Sequence, residues 1–134
     1  MKFLILFTLL VSSLFSSSEL GWSHDYKKTL EQAKIENKLV YILITSDSCG
    51  WCRKFESTTL QEKAIQKRLY SEFEVVHLSR DRDVIPKEFK TSPVPRHYFV
   101  DAKGNILYAT LGYRKADCFD SFMDNAENKL KINR

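Results

Sequence analysis

The chain has 134 residues, of which 43% are hydrophobic and 28% are charged, with four Gly and three Pro. This length suits one domain, and the composition excludes a disordered or collagen-like chain because enough apolar residues are present to bury a core. The net charge of +4 comes from 21 Lys and Arg against 17 Asp and Glu spread along the sequence. Because no dense basic run is present, we expect no nucleic-acid partner.

The N-terminus has the order of regions typical of a secretory signal peptide. Lys2 precedes an apolar run, Phe3–Val11, and a serine-rich stretch follows up to Ser18. We expect cleavage after residues 1–18, which leaves residues 19–134 as one domain. The C-terminal residues carry no endoplasmic-reticulum retention tail, which favours export to a bacterial periplasm. The alternative is an uncleaved signal that anchors the protein to the membrane, facing the periplasm, although the run is shorter than the about 20 residues of a transmembrane helix.

The remaining chain predicts helices and strands in alternation, which indicates an α/β sandwich. A first helix is expected from a Ser23 N-cap to about Asn37. The apolar run Leu39–Thr45 predicts a strand that is buried on both faces. Further strands are predicted at three apolar runs, of which the last two form a hairpin: Phe73–Leu78, Tyr98–Val100 and Ile106–Ala109.

Caps and charged segments place the other elements. Thr59 and Glu62 have the spacing of a capping box, which predicts a helix through Leu69. The charged segment Asp81–Lys90 is expected to form a loop with a short helix. Asp117 is the expected cap of a final helix with one apolar face.

Cys49-Gly50-Trp51-Cys52 lies where the first strand ends and a helix begins. At a helix N-terminus, unpaired N–H groups and the helix dipole stabilise a thiolate, so Cys49 is the expected nucleophile. Cys52 lies one helical turn further along and can resolve a mixed disulfide by attacking Cys49. Export would place this pair in an oxidising compartment, where thiol-disulfide chemistry takes place.

Three other roles for the cysteine pair compete with the redox interpretation. A structural disulfide with so short a loop would constrain the unfolded chain little. A structural zinc site needs four ligands, and the remaining cysteine and three histidines form no second paired cluster. Haem attachment requires His after the second cysteine, where this chain has Arg53. We therefore expect no metal and no bound cofactor.

With these features the sequence resembles the thioredoxin-like family, in particular exported single-domain members with an extra N-terminal helix. The resemblance covers about residues 22–131. It rests on Trp22, the apolar strand, the cysteine motif, Val94-Pro95 and Asp101-Ala102-Lys103-Gly104 before a strand. It implies a thioredoxin-like α/β fold, with a central mixed β-sheet flanked by helices.

The resemblance also implies a substrate-binding site. The family places a cis-proline beside the disulfide, and by position that residue is Pro95. A cis bond would turn the backbone of Val94 outward, where it can pair with an extended substrate. Trp51 is expected to be exposed on the same face, whereas Pro93 is expected to have an ordinary trans bond. The implied catalytic residues are Cys49 and Cys52.

The sequence departs from cytosolic thioredoxins at the internal proton acceptor. Their buried carboxylate corresponds to Leu43, and the lysine that faces it corresponds to His77. His77 is either a proton carrier near neutral pH or a packed, hydrogen-bonded side chain. Glu56, one turn after Cys52, is a second candidate for the proton acceptor, although we expect it to lie on a solvated surface of the helix.

Three further residues have side chains capable of chemistry but no supporting pattern. Cys118 is expected to pack in the first turn of the last helix, and the alternatives are pairing between molecules or reactivity. His24 and His97 have no spacing that suggests a metal site. We expect them at the surface or in structural roles.

Together these observations predict a periplasmic thiol-disulfide oxidoreductase that acts on exported proteins. We expect the reducing direction, because Gly50 and Trp51 add no cation or histidine that would favour the thiolate of a strong oxidant. A membrane electron donor would then re-reduce the protein, which is expected to be a monomer. The alternative, from another class, is a redox-silent thioredoxin-fold module that binds a protein partner.

Overall fold

A computed structural model describes residues 20–134, so the predicted signal peptide lies outside the described residues. The elements are α1 (Tyr26–Glu36), β1 (Leu39–Thr45), α2 (Gly50–Ser57), a 3-10 turn (Thr59–Gln61), α3 (Lys63–Glu72), β2 (Phe73–Ser79), β3 (Arg96–Val100), β4 (Ile106–Leu111) and α4 (Ala116–Ile132). Within this part of the chain, no helix has the length and apolar character needed to cross a membrane.

The strands form one mixed sheet in the order β2-β1-β3-β4. β1 pairs in parallel with β2 and antiparallel with β3, and β3 and β4 form the predicted hairpin. All seven residues of β1 are buried, because this strand lies inside the sheet and is covered on both faces. The carboxyl end of β1 therefore leads directly from the core to the cysteine motif.

Helices cover both faces of the sheet and bury two separate clusters. Side chains alternate along β1, so Tyr41 and Leu43 point to one cluster while Ile42 and Ile44 point to the other. The first cluster is completed by apolar residues of α2, α3 and α4: Phe55, Ile65, Leu69, Phe119, Phe122, Met123 and Ala126. The second contains Ala33 of α1. The predicted sheet flanked by helices, with an extra N-terminal helix, is confirmed.

The predicted N-cap of α1 is wrong by two residues. Asp25 is the N-cap, and its side chain accepts a hydrogen bond from the Lys28 N–H at 3.0 Å. Ser23 instead forms a parallel bridge with Val76, and its carbonyl accepts the His77 N–H at 2.9 Å. The segment before α1 thus adds to the outer edge of β2.

Two other predicted caps are also wrong. Thr59 begins the 3-10 turn, and α3 starts at Lys63 after Glu62, which makes no side-chain cap hydrogen bond. The N-cap residue of α4 is Lys115, so Asp117 lies inside the first turn, where Oδ1 accepts the adjacent N–H of Cys118 at 2.8 Å.

The connection between β2 and β3 also differs from expectation. Residues 80–90 form turns without the predicted short helix. The Asp83 carboxylate accepts the Ser79 N–H at 2.7 Å, and such local side-chain bonds favour turns over helix. The Ser92–Pro93 bond is cis, so the expected trans bond at Pro93 is wrong. This segment carries the chain back to the end of the sheet where the cysteines lie.

Candidate active site

The two cysteines form a disulfide at the start of α2, with their Cα atoms 5.2 Å apart. Cys49 is the N-cap residue, and its Sγ accepts a hydrogen bond from the Cys52 N–H at 3.1 Å. Cys49 is partly exposed, whereas Cys52 is 0% exposed. An incoming thiol or disulfide can therefore reach Cys49, and the helix N-terminus stabilises negative charge on that sulfur.

A shallow groove of about 300 Å³ is lined by Trp51, Val94, Pro95, Gly112 and Tyr113, and we call it the aromatic groove. It unites the three residues expected to bind substrate. Trp51 is 60% exposed, and the Val94–Pro95 bond is cis as expected. Gly112 and Tyr113 were missed, because no sequence signal shows that the loop after β4 returns to the cysteines.

The exposed Trp51 is part of an aromatic and cationic cluster. Its ring centroid lies 5.7 Å from that of Tyr113. The Lys54 ammonium lies 5.1 Å from the Trp51 centroid and 5.0 Å from the Tyr113 centroid. Both distances allow cation-π attraction, which orders one side of the aromatic groove.

Beneath the aromatic groove, His97 is fully buried and makes two side-chain hydrogen bonds. Its Nδ1 lies 2.7 Å from the Tyr41 hydroxyl, and its Nε2 lies 2.8 Å from the Gly112 carbonyl oxygen. A carbonyl only accepts, so Nε2 carries the proton and Tyr41 donates to Nδ1. The Gly112 N–H in turn donates to the Pro95 carbonyl at 2.8 Å. This chain of hydrogen bonds connects the core to the groove wall.

The structural role expected for His97 is thus confirmed, and the surface alternative is wrong. Burial lowers the pKa of His97 to about 4, and the positive charge of Arg114 acts in the same direction. The hydrogen bond to Gly112 opposes this shift without overcoming it. His97 is therefore neutral at pH 7.

Glu56 lies one turn after Cys52 in α2 and is only 4% exposed. The expected solvated surface position is wrong, because α2 turns the same side of the helix inward at Cys52, Phe55 and Glu56. Burial raises the pKa of Glu56, and the Arg53 charge partly opposes this shift. Arg53 Nε lies 2.9 Å from Glu56 Oε2, but neither atom has a hydrogen bond of good geometry. The carboxylate is an incompletely satisfied buried acid.

His77, in β2, faces the same carboxylate. Its Nε2 lies 2.7 Å from Thr45 Oγ1 and 3.5 Å from Glu56 Oε1. Burial lowers the pKa of His77 to about 4, and the nearby His24 and Arg53 add to this shift. A neutral, hydrogen-bonded imidazole at pH 7 agrees with the packed alternative for this residue.

Glu56 and His77 line a small polar cavity of about 170 Å³. The other lining residues are Leu20, Gly21, Trp22, His24, Arg53 and Arg82. The cavity connects a buried carboxylate, one turn from the resolving cysteine, with polar side chains nearer the surface. Leu43, which occupies the position of the carboxylate in cytosolic thioredoxins, is buried in the apolar core.

Of the remaining candidate residues, Cys118 lies outside this site, whereas His24 lines the polar cavity. Cys118, in the first turn of α4, is unpaired and partly buried where this helix packs on the core, as expected for packing. His24 lies 3.4 Å from an Asp83 carboxylate oxygen. Among residues 20–134, no group of three or more His, Cys, Asp or Glu side chains is placed to hold a metal ion.

A partly exposed cysteine at a helix N-cap, disulfide-bonded to a buried cysteine, with a cis-proline in the groove beside the intervening Trp51, defines the class of thioredoxin-fold thiol-disulfide oxidoreductases. A family model described as a thioredoxin-like domain matches residues 26–127. The chain belongs to this thioredoxin-like family, as its sequence motifs indicated.

Solved structures share the fold at low sequence identity. A protein described as DsbH oxidoreductase has 21% identity over 88% of this chain and 91% of its own, with a TM-score of 0.63. The C-terminal domain of Neisseria meningitidis DsbD in its oxidised form has 18% identity, 78% and 98% coverage, and a TM-score of 0.65. A Xylella fastidiosa Temecula1 disulphide isomerase has 20% identity, 87% and 100% coverage, and a TM-score of 0.56. No curated protein sequence matches the chain.

Proposed function

We propose that this thiol-disulfide oxidoreductase works in the periplasm and reduces disulfides of exported proteins. The observation that carries the proposal is the partly exposed Cys49 at a helix N-cap above the buried Cys52, beside an open groove. The signal-peptide pattern of residues 1–18 supports the location. The groove offers the Val94 backbone and the exposed Trp51 ring to an extended substrate segment.

The reaction consists of two successive thiol-disulfide exchanges. The Cys49 thiolate attacks one sulfur of a substrate disulfide, a mixed disulfide forms, and the first substrate thiolate leaves and takes a proton from water. Cys52 then loses its proton and attacks Cys49, so the second substrate thiol leaves. Two electrons pass from the Cys49 and Cys52 thiols to the substrate, and the enzyme ends with the disulfide observed here. A membrane electron donor would return the two electrons.

The second step requires a proton acceptor for Cys52, and Glu56 is suited to this task. It lies one helical turn from Cys52 on the inward side of α2. Because burial raises its pKa, the carboxylate is a stronger base than a solvated glutamate and a better match for a thiol. The polar cavity provides a route by which the proton leaves.

We expect the reducing direction from the two residues between the cysteines. Between the cysteines, Gly50 and Trp51 supply no positive charge and no imidazole that would strongly favour the Cys49 thiolate. Arg53 is paired with Glu56. We expect a reduction potential between the about −270 mV of thioredoxin and the about −120 mV of the strongest oxidants, nearer to thioredoxin.

Equilibration with glutathione redox buffers tests the direction. The fraction of molecules with the Cys49–Cys52 disulfide gives the reduction potential. Trp51, which lies between the two cysteines in the sequence, provides a fluorescence signal for this fraction. A value near the strong-oxidant end would reverse the proposed direction. A protein with no measurable exchange would support the alternative function, a module that binds partners without redox chemistry.

Three further experiments test the cysteine roles and the location. A Cys52→Ser variant retains the first attack and lacks resolution, so it should accumulate mixed disulfides with exported proteins, whereas Cys49→Ser should accumulate none. Iodoacetamide should label Cys49 first in the reduced protein. A fusion to alkaline phosphatase, which is active only after export, should be active with residues 1–18 and inactive without them.

A further inference from the structure

Four cations contact the segments that form the aromatic groove, and two of them lie at the groove itself. Lys54 lies over the Trp51 and Tyr113 rings. Arg114 follows Tyr113, and its Nη1 donates to the Tyr113 carbonyl at 2.9 Å. The same Nη1 lies 3.4 Å from the point that a Cβ on Gly112 would occupy. Positive charge is therefore fixed against one wall of the groove.

The other two cations hold the segment that leads to Pro95. Arg96 Nη2 donates to the Ser92 carbonyl at 2.9 Å, and Arg80 Nη1 donates to the Thr91 carbonyl at 3.1 Å. Both arginines thus use backbone oxygens, which are neutral, as their partners. Thr91 and Ser92 lie outside the groove lining, so Lys54 and Arg114 form the cationic rim of the groove.

The charge on this rim is not balanced. Within residues 20–134, no carboxylate oxygen lies within 4.0 Å of Lys54, Arg80, Arg96 or Arg114. Elsewhere in the same part of the chain, Arg68 alone contacts four carboxylates. The nearest acid in sequence to Tyr113 is Asp117, whose Oδ1 accepts a backbone N–H. The field at the groove is consequently positive.

We propose that the preferred substrates are extended segments with a large apolar side chain next to the cysteine and Asp or Glu on either side of that pair. The apolar side chain packs on the exposed Trp51 ring beside Pro95, and the carboxylates complement the cationic rim formed by Lys54 and Arg114. A segment flanked by Lys or Arg is repelled by the same charges. This inference rests on the proposed reduction of protein disulfides and adds the class of substrate.

Three cyclic peptides, each closed by one disulfide with Trp beside one cysteine, test the preference. They differ only in flanking residues, which are Glu, Gln or Lys. Reduced enzyme transfers two electrons and two protons to each peptide disulfide, giving a peptide dithiol and the Cys49–Cys52 disulfide. At about 10 mM ionic strength we expect the Glu peptide to react about tenfold faster than the Lys peptide, and added salt to reduce this ratio to below about threefold.

Two variants locate the effect. Lys54→Gln and Arg114→Gln should each lower the ratio of Glu-peptide to Lys-peptide rates by about twofold to threefold at low salt. Lys129→Gln is the matched control, because this exposed residue lies 13 positions after the start of α4, about 20 Å along the helix from the groove. The control should leave the ratio unchanged.

The outcomes separate this inference from the proposed function. Equal rates for the three peptides, or a faster Lys peptide, would overturn the substrate preference and leave the reductase intact. If no peptide and no neutral 2-hydroxyethyl disulfide is reduced, the proposed function fails and the preference fails with it. Inhibition by a single-stranded oligonucleotide as strong as by the reduced Glu peptide would show a general polyanion surface, which also overturns the preference.

Discussion

Two histidines near the disulfide have the same lowered pKa, about 4, in very different surroundings. His97 is enclosed by aromatic rings, with the Phe55 centroid 4.8 Å away, and both of its nitrogens are hydrogen-bonded. His77 faces a polar cavity, a buried carboxylate and a threonine hydroxyl. Burial is the largest cause of the shift in both cases.

The difference shows that a perturbed pKa does not by itself mark a group that takes part in chemistry. The side with His97 has matched donors and acceptors, and it holds the groove wall in place. The side with His77 includes Glu56, whose Oε2 lacks a well-formed hydrogen bond. An incompletely satisfied buried acid beside a cavity is typical of a site where a proton moves. Substitutions on the two sides should therefore differ in their effects on stability and on exchange.

The largest expected effect is a loss of stability in His97→Ala. The substitution leaves the Tyr41 hydroxyl without its partner in the core and creates a cavity, which together should cost about 4 kcal/mol in the free energy of unfolding. Urea titration measures this loss. His77→Ala is the matched control and should cost about 1 kcal/mol, because water can enter its polar cavity. Equal losses would remove the contrast between the two sides.

Acid should destabilise the protein through the same two residues. Between pH 6.5 and about 4 the unfolded chain binds protons on these histidines while the folded protein does not. Their stabilising contribution is therefore complete above pH 6.5 and is lost as the pH falls to about 4. For His97 the loss is about 3 kcal/mol at 1.36 kcal/mol per pKa unit.

Unfolding curves between pH 7 and pH 4 measure this dependence. His97→Gln and His77→Gln should each have a shallower slope than the unmodified protein, by similar amounts because the two histidines have similar lowered pKa values. Slopes identical to that of the unmodified protein in both variants would show that neither histidine has the lowered pKa.

The third effect is kinetic. Glu56→Gln should slow the resolving step about 100-fold, which is typical of a lost general base, and leave the first attack by Cys49 unchanged. Stability should stay the same or rise, because a buried carboxylate with a raised pKa disfavours the folded state at neutral pH. Stopped-flow measurement of mixed-disulfide decay separates the two steps. Glu31→Gln, on the exposed surface of α1, is the control.

The smallest effect is expected for Cys118→Ala, outside both histidine regions. Cys118 is partly buried, so its loss should lower the free energy of unfolding by less than about 1 kcal/mol. Exchange rates should be unchanged. A loss of activity would show that this third thiol takes part in the reaction.

The sequence was most informative where one pattern had one structural solution. The six apolar residues and one threonine of β1 predict a buried strand, and the cysteine motif at its end predicts an N-cap thiol. The three expected substrate-binding residues then meet in one groove. The buried strand and the N-cap position of Cys49 are predicted correctly because local pattern and overall topology require the same arrangement.

Other features depend on how elements dock, which local patterns do not specify. α2 has eight residues, and only its packing against the sheet decides that Glu56 faces inward. His97 lies on the inner face of β3 because of the strand register that pairs it with Leu43. Thr59 has the spacing of a capping box, but the chain makes a 3-10 turn there first.

The disulfide closes a ring of only four residues within one turn of α2. Chain entropy assigns such a ring a stabilisation of about 2 kcal/mol, against about 4.7 kcal/mol for a loop of 100 residues. The rest of the fold depends on two apolar clusters and a sheet that do not include this bond. Reduction of the disulfide therefore leaves the fold intact, and the same molecule can be oxidised and reduced many times without unfolding. Melting curves recorded with and without dithiothreitol should both be cooperative, with midpoints about 10 °C apart or less.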